Sequence, residues 1–483
     1  MASWMHMLDT GMVMQHLLAH WVPDAEKAQM EGELSSEEWE QVAVLAALLH
    51  DVGKLTPLFV SGLLPQLPDV ELRLASYGLT VSKMMEGKLP HGFLGALWLR
   101  QQDCPHSLAA VVAAHHGKPT DQETSKYLKK GSACPDPSHM YGQNGRDGQM
   151  AKLWETARQE WLDYALQCCG FGSLCDVPEI SKASQMLLSG LLIMADWIAS
   201  NATLFPLLAP DEEPVAQFFN DRAERAMETL NLPGPLDCAH PIATPEEFQE
   251  RFSLSASPYP MQQAVLRIAQ DTIFPGLMII EAQMGTGKTE AALAAAEQFL
   301  QKTGAGGVFF GLPTQATANG IFPRLREWAE RFSPDYQQAI RLAHGMASMN
   351  EDYRSLPHGY APSEEDTVVV HSWMEGRKKA LLANVVIGTV DQLLLAALKQ
   401  KHVMLRHLGL AGKVVIIDEC HAYDAYMYVY LDRALSWLGT YHVPTILLSA
   451  TLPAAKRCEL MQAYLGKKVS GPWQTSRDYP LIT

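Results

Sequence analysis

Residues 42–55 read VAVLAALLHDVGKL: eight apolar residues run straight into a histidine, an aspartate and a glycine–lysine pair. The apolar run predicts a buried helix. Ending such a helix on His50 and Asp51 carries a cost, because a polar group buried without a partner is destabilising by roughly 2–7 kcal/mol. Something must compensate, and a bound cation is one candidate.

The same problem recurs elsewhere in the first half of the chain. His6 opens a helix in HMLDTGMVM, and His91 stands just before an apolar helix in LPHGFLGALWL. In HSLAAVVAAHHG, Leu108, Val111, Val112 and His115 share one helix face, which turns His115 into the core. His116 lies about 100° further round, where it can reach a second cation. Asp196 sits in ASQMLLSGLLIMADWIASN, apolar on nearly every side, and a buried carboxylate needs a cation or several donors. These are five histidines and two aspartates, all on predicted helices. Imidazole with carboxylate suits Mn, Fe, Co, Ni or Zn better than Ca. A carboxylate shared by two ions suits phosphodiester cleavage: one ion acidifies the attacking water and the other stabilises the leaving oxygen. A lone histidine on an apolar face is more often a hydrogen-bonded core residue, so the combination carries the reading. His16 and His20 also stand four apart, but no glutamate follows His16 as a zinc-protease helix requires, and both read as helix-face residues.

At 483 residues the chain is too long for one core and predicts two to four domains. A net charge of −15 excludes a uniformly basic nucleic-acid binder but leaves room for a local basic groove. None of the eight cysteines forms a CxxC pair, which argues against a zinc ribbon. Free thiols without a disulfide-like framework fit a reducing, cytoplasmic setting. No apolar run reaches the roughly 18 residues of a membrane span, and the N-terminus lacks a basic leader, so no membrane association is expected.

Residues 1–205 show helical periodicity almost throughout, interrupted at 119–150 by a polar, Gly/Pro-rich stretch that reads as a surface loop. Residues 206–255 read as a Pro-rich, acidic linker with one short helix at 215–230. From 256 to 483 the texture changes to apolar runs separated by helices: LMIIEA (277–282), GVFFGLP (307–313), VVIGT (385–389), KVVIIDE (413–419) and TILLSAT (445–451). Such runs imply a mostly parallel sheet covered on both faces. The expected fold class is therefore an all-α domain followed by an α/β domain.

MIIEAQMGTGKTEAAL supplies a strand, a glycine loop and a helix start. Gly285, Thr286, Gly287, Lys288 and Thr289 fit the end of a P-loop: the glycines let backbone amides approach phosphate, Lys288 reaches the β/γ-phosphates, and Thr289 ligates Mg²⁺. Ala282 stands where the strict pattern has its first glycine. In VVIIDECH, Asp418 would hold Mg²⁺ through water, Glu419 would polarise the attacking water, and His421 would couple the nucleotide to the nucleic-acid side.

With these residues in view, two resemblances stand out. His6, His50-Asp51, His91, His115-His116 and Asp196 follow the pattern of HD metal-dependent phosphohydrolases. HDVGK, AAHHG and ADWIASN together resemble the HD nuclease domain of the CRISPR-associated helicase-nuclease of type I systems. That resemblance implies one divalent transition ion (Mn, Ni, Fe or Co) on His6, His50, Asp51 and Asp196. It implies a second on Asp51, His91, His115 and His116, with Asp51 bridging and Lys54 near the scissile phosphate. Family members usually carry a further segment before the first histidine. The second half resembles the first RecA-like domain of superfamily 2 helicases. Gln262 in YPMQQ takes the adenine-reading place, Thr314 in LPTQATAN and Thr389 in GTVDQLL face nucleic acid, and Ser449 and Thr451 of SAT couple the sites. The resemblance implies a nuclease degrading single-stranded foreign DNA at R-loops, delivered by a guide-RNA surveillance complex. It reaches only the family's midpoint: the tail after Thr451 is too short for a second RecA-like domain, so weak ATPase is expected of this chain alone, as a fragment or as half of a split protein completed by a second chain. The alternatives are an HD phosphohydrolase acting on nucleotides and an inactive fragment or binding module.

Overall fold

The computed structural model describes residues 2–65, 68–79, 90–118, 148–209, 212, 214–332, 337–360, 367–476 and 478–483. The expected surface loop at 119–150 lies outside the described residues as far as 147; residues 148–150 begin the helix Gly148–Cys168. The chain divides into two compact units. One comprises Met1–Leu18 and Glu33–Glu228, the other Ala19–Gly32 and Thr229–Thr483.

The first unit is helical. Its site-bearing elements are α1 (Ser3–His20), α3 (Ser36–Leu49), α4 (His91–Gln101), α5 (His106–Ala114) and α6 (Lys182–Ala199), and it closes with α7 (Ala216–Leu230) on the expected linker helix. The short helix α2 (Asp24–Glu31) belongs to the other unit. α3 starts on a capping box in which the Glu38 amide donates to Ser35 Oγ and the Ser35 amide donates to the Glu38 carboxylate. Val42 through Leu49 are all buried, so the opening apolar run is a core helix from end to end. α5 packs between α4 and α6, and α6 also lies on α3, which brings the polar ends of these helices together. Among the described residues no single helix is long and apolar enough to cross a membrane.

The second unit is built on a sheet of nine strands among the described residues: β1 (Leu277–Glu281), β2 (Val308–Leu312), β3 (Gln338–Ala343), β4 (His358–Gly359), β5 (Val368–His371), β6 (Val385–Thr389), β7 (Val414–Ile417), β8 (Thr445–Ser449) and β9 (Leu481–Ile482). Their order is β4-β5-β3-β6-β2-β7-β8-β1-β9, parallel except for β9, which runs antiparallel to β1. This is the RecA-like arrangement with a mostly parallel sheet, as expected. The five apolar runs read from sequence form the contiguous centre, β6-β2-β7-β8-β1. The unread strands flank it: β3 carries Gln338 and Arg341, β4 and β9 are two residues long, and β5, with Val368, Val369 and Val370 buried, is an apolar run of the same kind as those read.

α2 is held in this unit by close backbone packing. Pro23 lies against Gly412, where an added Cβ would stand 2.5 Å from Pro23 Cγ. The Ala25 amide donates to the Gly304 carbonyl at 3.1 Å. Glu26 is buried, and burial pushes its pKa up to about 8 against the opposing pull of Lys413. Lys413, equally buried, is pushed down to about 8.

Candidate functional site

In the first unit the seven sequence-derived ligands converge. His6 Nε2 stands 3.1 Å from Asp196 Oδ1, and His50 Nε2 stands 3.8 Å from the same oxygen. His91, His115 and His116 form the second cluster, with His91 and His116 facing each other Nε2 to Nε2 at 2.8 Å. Asp51 lies between the clusters and serves each with a different oxygen. Its Oδ2 is 3.4 Å from His50 and 3.8 Å from His6, whereas its Oδ1 is 3.0 Å from His91 and 3.7 Å from His115.

The helices set this geometry, but mostly from their ends. His50 is the residue just past α3, Asp51 follows it in the turn, and His115 and His116 lie just past α5. The expectation that all seven lie within helices is corrected: a ligand at a helix end has its ring anchored by the free carbonyls of the last turn. His50 Nδ1 bonds the Ala47 carbonyl and His115 Nδ1 the Val112 carbonyl, both at 2.7 Å. Each imidazole thus donates through Nδ1 and turns its Nε2 inward, as metal-binding histidines do when a carbonyl holds the other ring nitrogen. Both Nε2 atoms are buried and take no hydrogen bond. Orphaned buried nitrogens aimed at a shared carboxylate fit a cation.

The electrostatics differ between the two clusters. Burial would raise Asp51, but the His50 charge beside it, with His91 and Lys54, holds its carboxyl well below the usual range. Asp196 is lowered to about 2 against burial, chiefly through His6. Burial alone would lower His50, and the Asp51 carboxylate reverses that, leaving it raised. In the second cluster burial and the nearby His50 charge push His115 down to about 3, and burial with His91 lowers His116. The carboxylates are anionic and the second cluster's buried imidazole is neutral, as a cation requires, whereas the Asp51 carboxylate favours a proton on His50 that a cation would displace. Lys54 forms an ion pair with Asp51 Oδ2 and lies 5.9 Å from the centre of the Phe59 ring.

Two contributors escape a reading of the sequence for ligands. Gly53 is the first: a Cβ there would stand 1.9 Å from the His91 carbonyl oxygen and 2.6 Å from the Gly95 amide. The bare glycine lets the turn after Asp51 press against α4, bringing the His91 ring to the Asp51 carboxylate. Ser200 is the second; its hydroxyl donates to Asp196 Oδ1 at 3.2 Å. The only signal for it is the four-residue spacing within ADWIASN.

In the second unit β1 leads through residues 282–287 into α8 (Lys288–Thr303), with Gly287 at φ 74° starting the helix. A cleft of about 510 Å³ opens there, lined by Gln262, Gly285, Gly287, Lys288, Thr289, Asp418 and Glu419 among others. Lys288 Nζ donates to the Ala282 carbonyl at 2.7 Å, and Thr286 bonds its hydroxyl to the Gln283 carbonyl. Gln262 accepts from the Tyr259 amide and donates to the Gly287 carbonyl, tying the YPMQQ stretch to the glycine loop. Asp418 follows β7, its pKa raised to about 6 by burial and by Glu419. Glu419 takes φ 50°, uncommon for a residue with a side chain, and its carboxylate meets His421 at 3.2 Å. Ser449 Oγ lies 3.4 Å from the same imidazole and donates to the Thr451 carbonyl. Thr314 and Thr389 are not in this cleft. Thr314 lies two residues past β2, whereas Thr389 is the buried last residue of β6, in register with Leu312.

Residues 1–205 match the family model described as Cas3, HD domain, and residues 259–459 match the DEAD/DEAH box helicase model. The CRISPR-associated nuclease/helicase Cas3 of Streptococcus thermophilus is 37% identical, over 99% of this chain and 54% of its own length. The crystal structure of T. fusca Cas3 with ADP aligns with a TM-score of 0.77 at 28% identity, over 99% of this chain and 52% of that one. A chain of a CRISPR RNA-guided surveillance complex, pre-nicking, aligns with a TM-score of 0.65 at 25% identity, over 97% of this chain and 48% of its own. The chain thus spans about half the length of the relatives it matches.

Proposed function

The chain belongs to the CRISPR-associated nuclease/helicase family, and from that premise we propose that its first unit is a two-metal nuclease for single-stranded DNA and its second an ATP-binding helicase domain. The observation that carries the reading is Asp51, whose two oxygens each face a separate cluster of histidines. His6, His50, Asp51 and Asp196 would hold one divalent transition ion, and Asp51, His91, His115 and His116 the other. Bound ions would acidify the attacking water and stabilise the leaving oxygen. The protein's own part is to fix the ligands: two Nδ1–H bonds to carbonyls aim His50 and His115, and Ser200 orients Asp196. Lys54, now paired with Asp51, is placed to turn its ammonium to the scissile phosphate.

In the second unit the P-loop amides, Lys288 and Thr289 would bind the triphosphate and Mg²⁺, and Gln262 the adenine. Asp418 and Glu419 would serve the ion and the attacking water. His421, between Glu419 and the Ser449–Thr451 segment, would report nucleotide state toward DNA lying over Thr314 and Thr389. A surveillance complex that opens an R-loop is the proposed supplier of the single strand, by likeness to the pre-nicking complex, and defence against foreign DNA is the proposed purpose.

The test is cleavage of circular single-stranded DNA by the purified chain with Mn²⁺, Ni²⁺ or Mg²⁺ and no ATP, against Asp51→Ala. Metal-dependent nicking absent from the variant is expected. Hydrolysis of mononucleotides with the DNA left intact would instead identify a nucleotide phosphohydrolase.

A further inference from the structure

The family model for the nuclease domain ends at residue 205, yet α7, beyond that limit, grips the helix that carries the first ligand. His6 lies in the first turns of α1, where helices fray and backbone amides lack partners. α7 holds α1 on both sides of it. Before His6, Trp4 meets Phe219 edge to face with ring centres 5.8 Å apart. After it, Asp9 Oδ1 accepts from Arg222 Nε at 3.1 Å. Phe219 and Arg222 are three residues apart and so share one face of α7. Asp9 is fully buried, its Oδ2 takes no hydrogen bond, and Arg222 is 6% exposed. Arg222 is itself fixed: Nη2 donates to the Pro206 carbonyl at 2.7 Å and the guanidinium lies 5.4 Å from the Phe205 ring centre. Next to Asp9, Thr10 Oγ1 donates to the His6 carbonyl at 2.8 Å.

We infer that Arg222, with Phe219 beside it, is a positioning residue for the ion held by His6, His50, Asp51 and Asp196. It touches no ligand atom; it acts through Asp9 to set the depth and rotation of α1, and hence where His6 Nε2 meets Asp196 and Asp51. The inference rests on the two-metal reading. It assigns α7 to the metal centre, although its sequence reads as part of a linker.

The experiment uses the full chain and Mn²⁺ alone. Wild type, Arg222→Met, Arg222→Lys and the double variant Asp9→Asn with Arg222→Met are titrated with the ion, and amide exchange is followed through residues 3–10. Arg222→Met is expected to speed exchange there on the order of tenfold and to weaken one of the two ions on the order of tenfold to a hundredfold, sparing the His91, His115 and His116 side. Arg222→Lys, which keeps the charge, should recover part of both effects. The double variant leaves no unpaired buried charge, so it reads the loss of the grip even where the single variant fails to fold, and the same weakening is expected. Two ions bound at wild-type strength in the double variant, or unchanged exchange at residues 3–10, would overturn the inference while the two-metal reading stands. A wild-type chain that binds no ion would end that reading and this inference together.

Discussion

At the scale of single residues the proposed nuclease centre depends on where side chains are absent as much as on where they are present. Gly53→Ala drives a methyl into the His91 carbonyl, and overpacking of this kind costs about 1–3 kcal/mol. The expected outcome is loss of the ion on the His91 side with the other retained, checked by counting bound Mn²⁺ per chain. Lys54 tests a different step. Lys54→Ala should leave the metal content unchanged and lower single-strand cleavage by about 10²–10³, the usual effect of deleting a transition-state charge donor, measured as single-turnover nicking. The seven side chains that converge were legible in the sequence because each breaks a local rule, a histidine or aspartate in or at the end of an apolar helix. Gly53 was not, because the surface that demands it is the backbone at His91, and no local pattern records a contact that distant.

Among the secondary-structure elements, α2 offers the clearest case of a segment placed by packing against its local character. Its sequence is polar, yet Glu26 and Met30 are buried. The Glu26 carboxyl has a folded pKa near 8, above the ordinary 4.5, so between those values the folded chain keeps a proton that the unfolded chain releases. The stability this group contributes is complete below that window and is lost as pH rises through it. Lys413 has the opposite sign: its folded pKa is depressed to about 8, so its burden is greatest below that pH and eases above it. Glu26→Gln is therefore expected to flatten the fall in stability between about pH 5 and 8, read from urea midpoints at the two ends. The same contrast separates the central strands from β3 and β4. Central strands buried on both faces carry continuous apolar runs, whereas β3 and β4 carry polar side chains on the flank and give no such run.

For the whole molecule, the order of an all-helical part before a RecA-like part was legible from the change of texture near residue 256, but the membership of residues 19–32 was not. Produced without that segment, the second unit would present an open seat at Gly412 and bury Lys413 without Glu26. Residues 229–483 alone are expected to melt lower than the same unit in the full chain, and a synthetic peptide spanning 19–32 should raise the melting temperature when added in trans. A segment reserved for the other unit also has a genealogical consequence. The chain passes from one unit to the other three times, at 18/19, 32/33 and 228/229. A single recombination event that joined the nuclease of one lineage to the motor of another would therefore bring along a foreign α2, cut to fit a different pair of glycines. Exchange between lineages is therefore expected to succeed where residues 19–32 come from the same source as the second unit they are seated in, checked by the melting temperatures of hybrid chains with and without the matching helix.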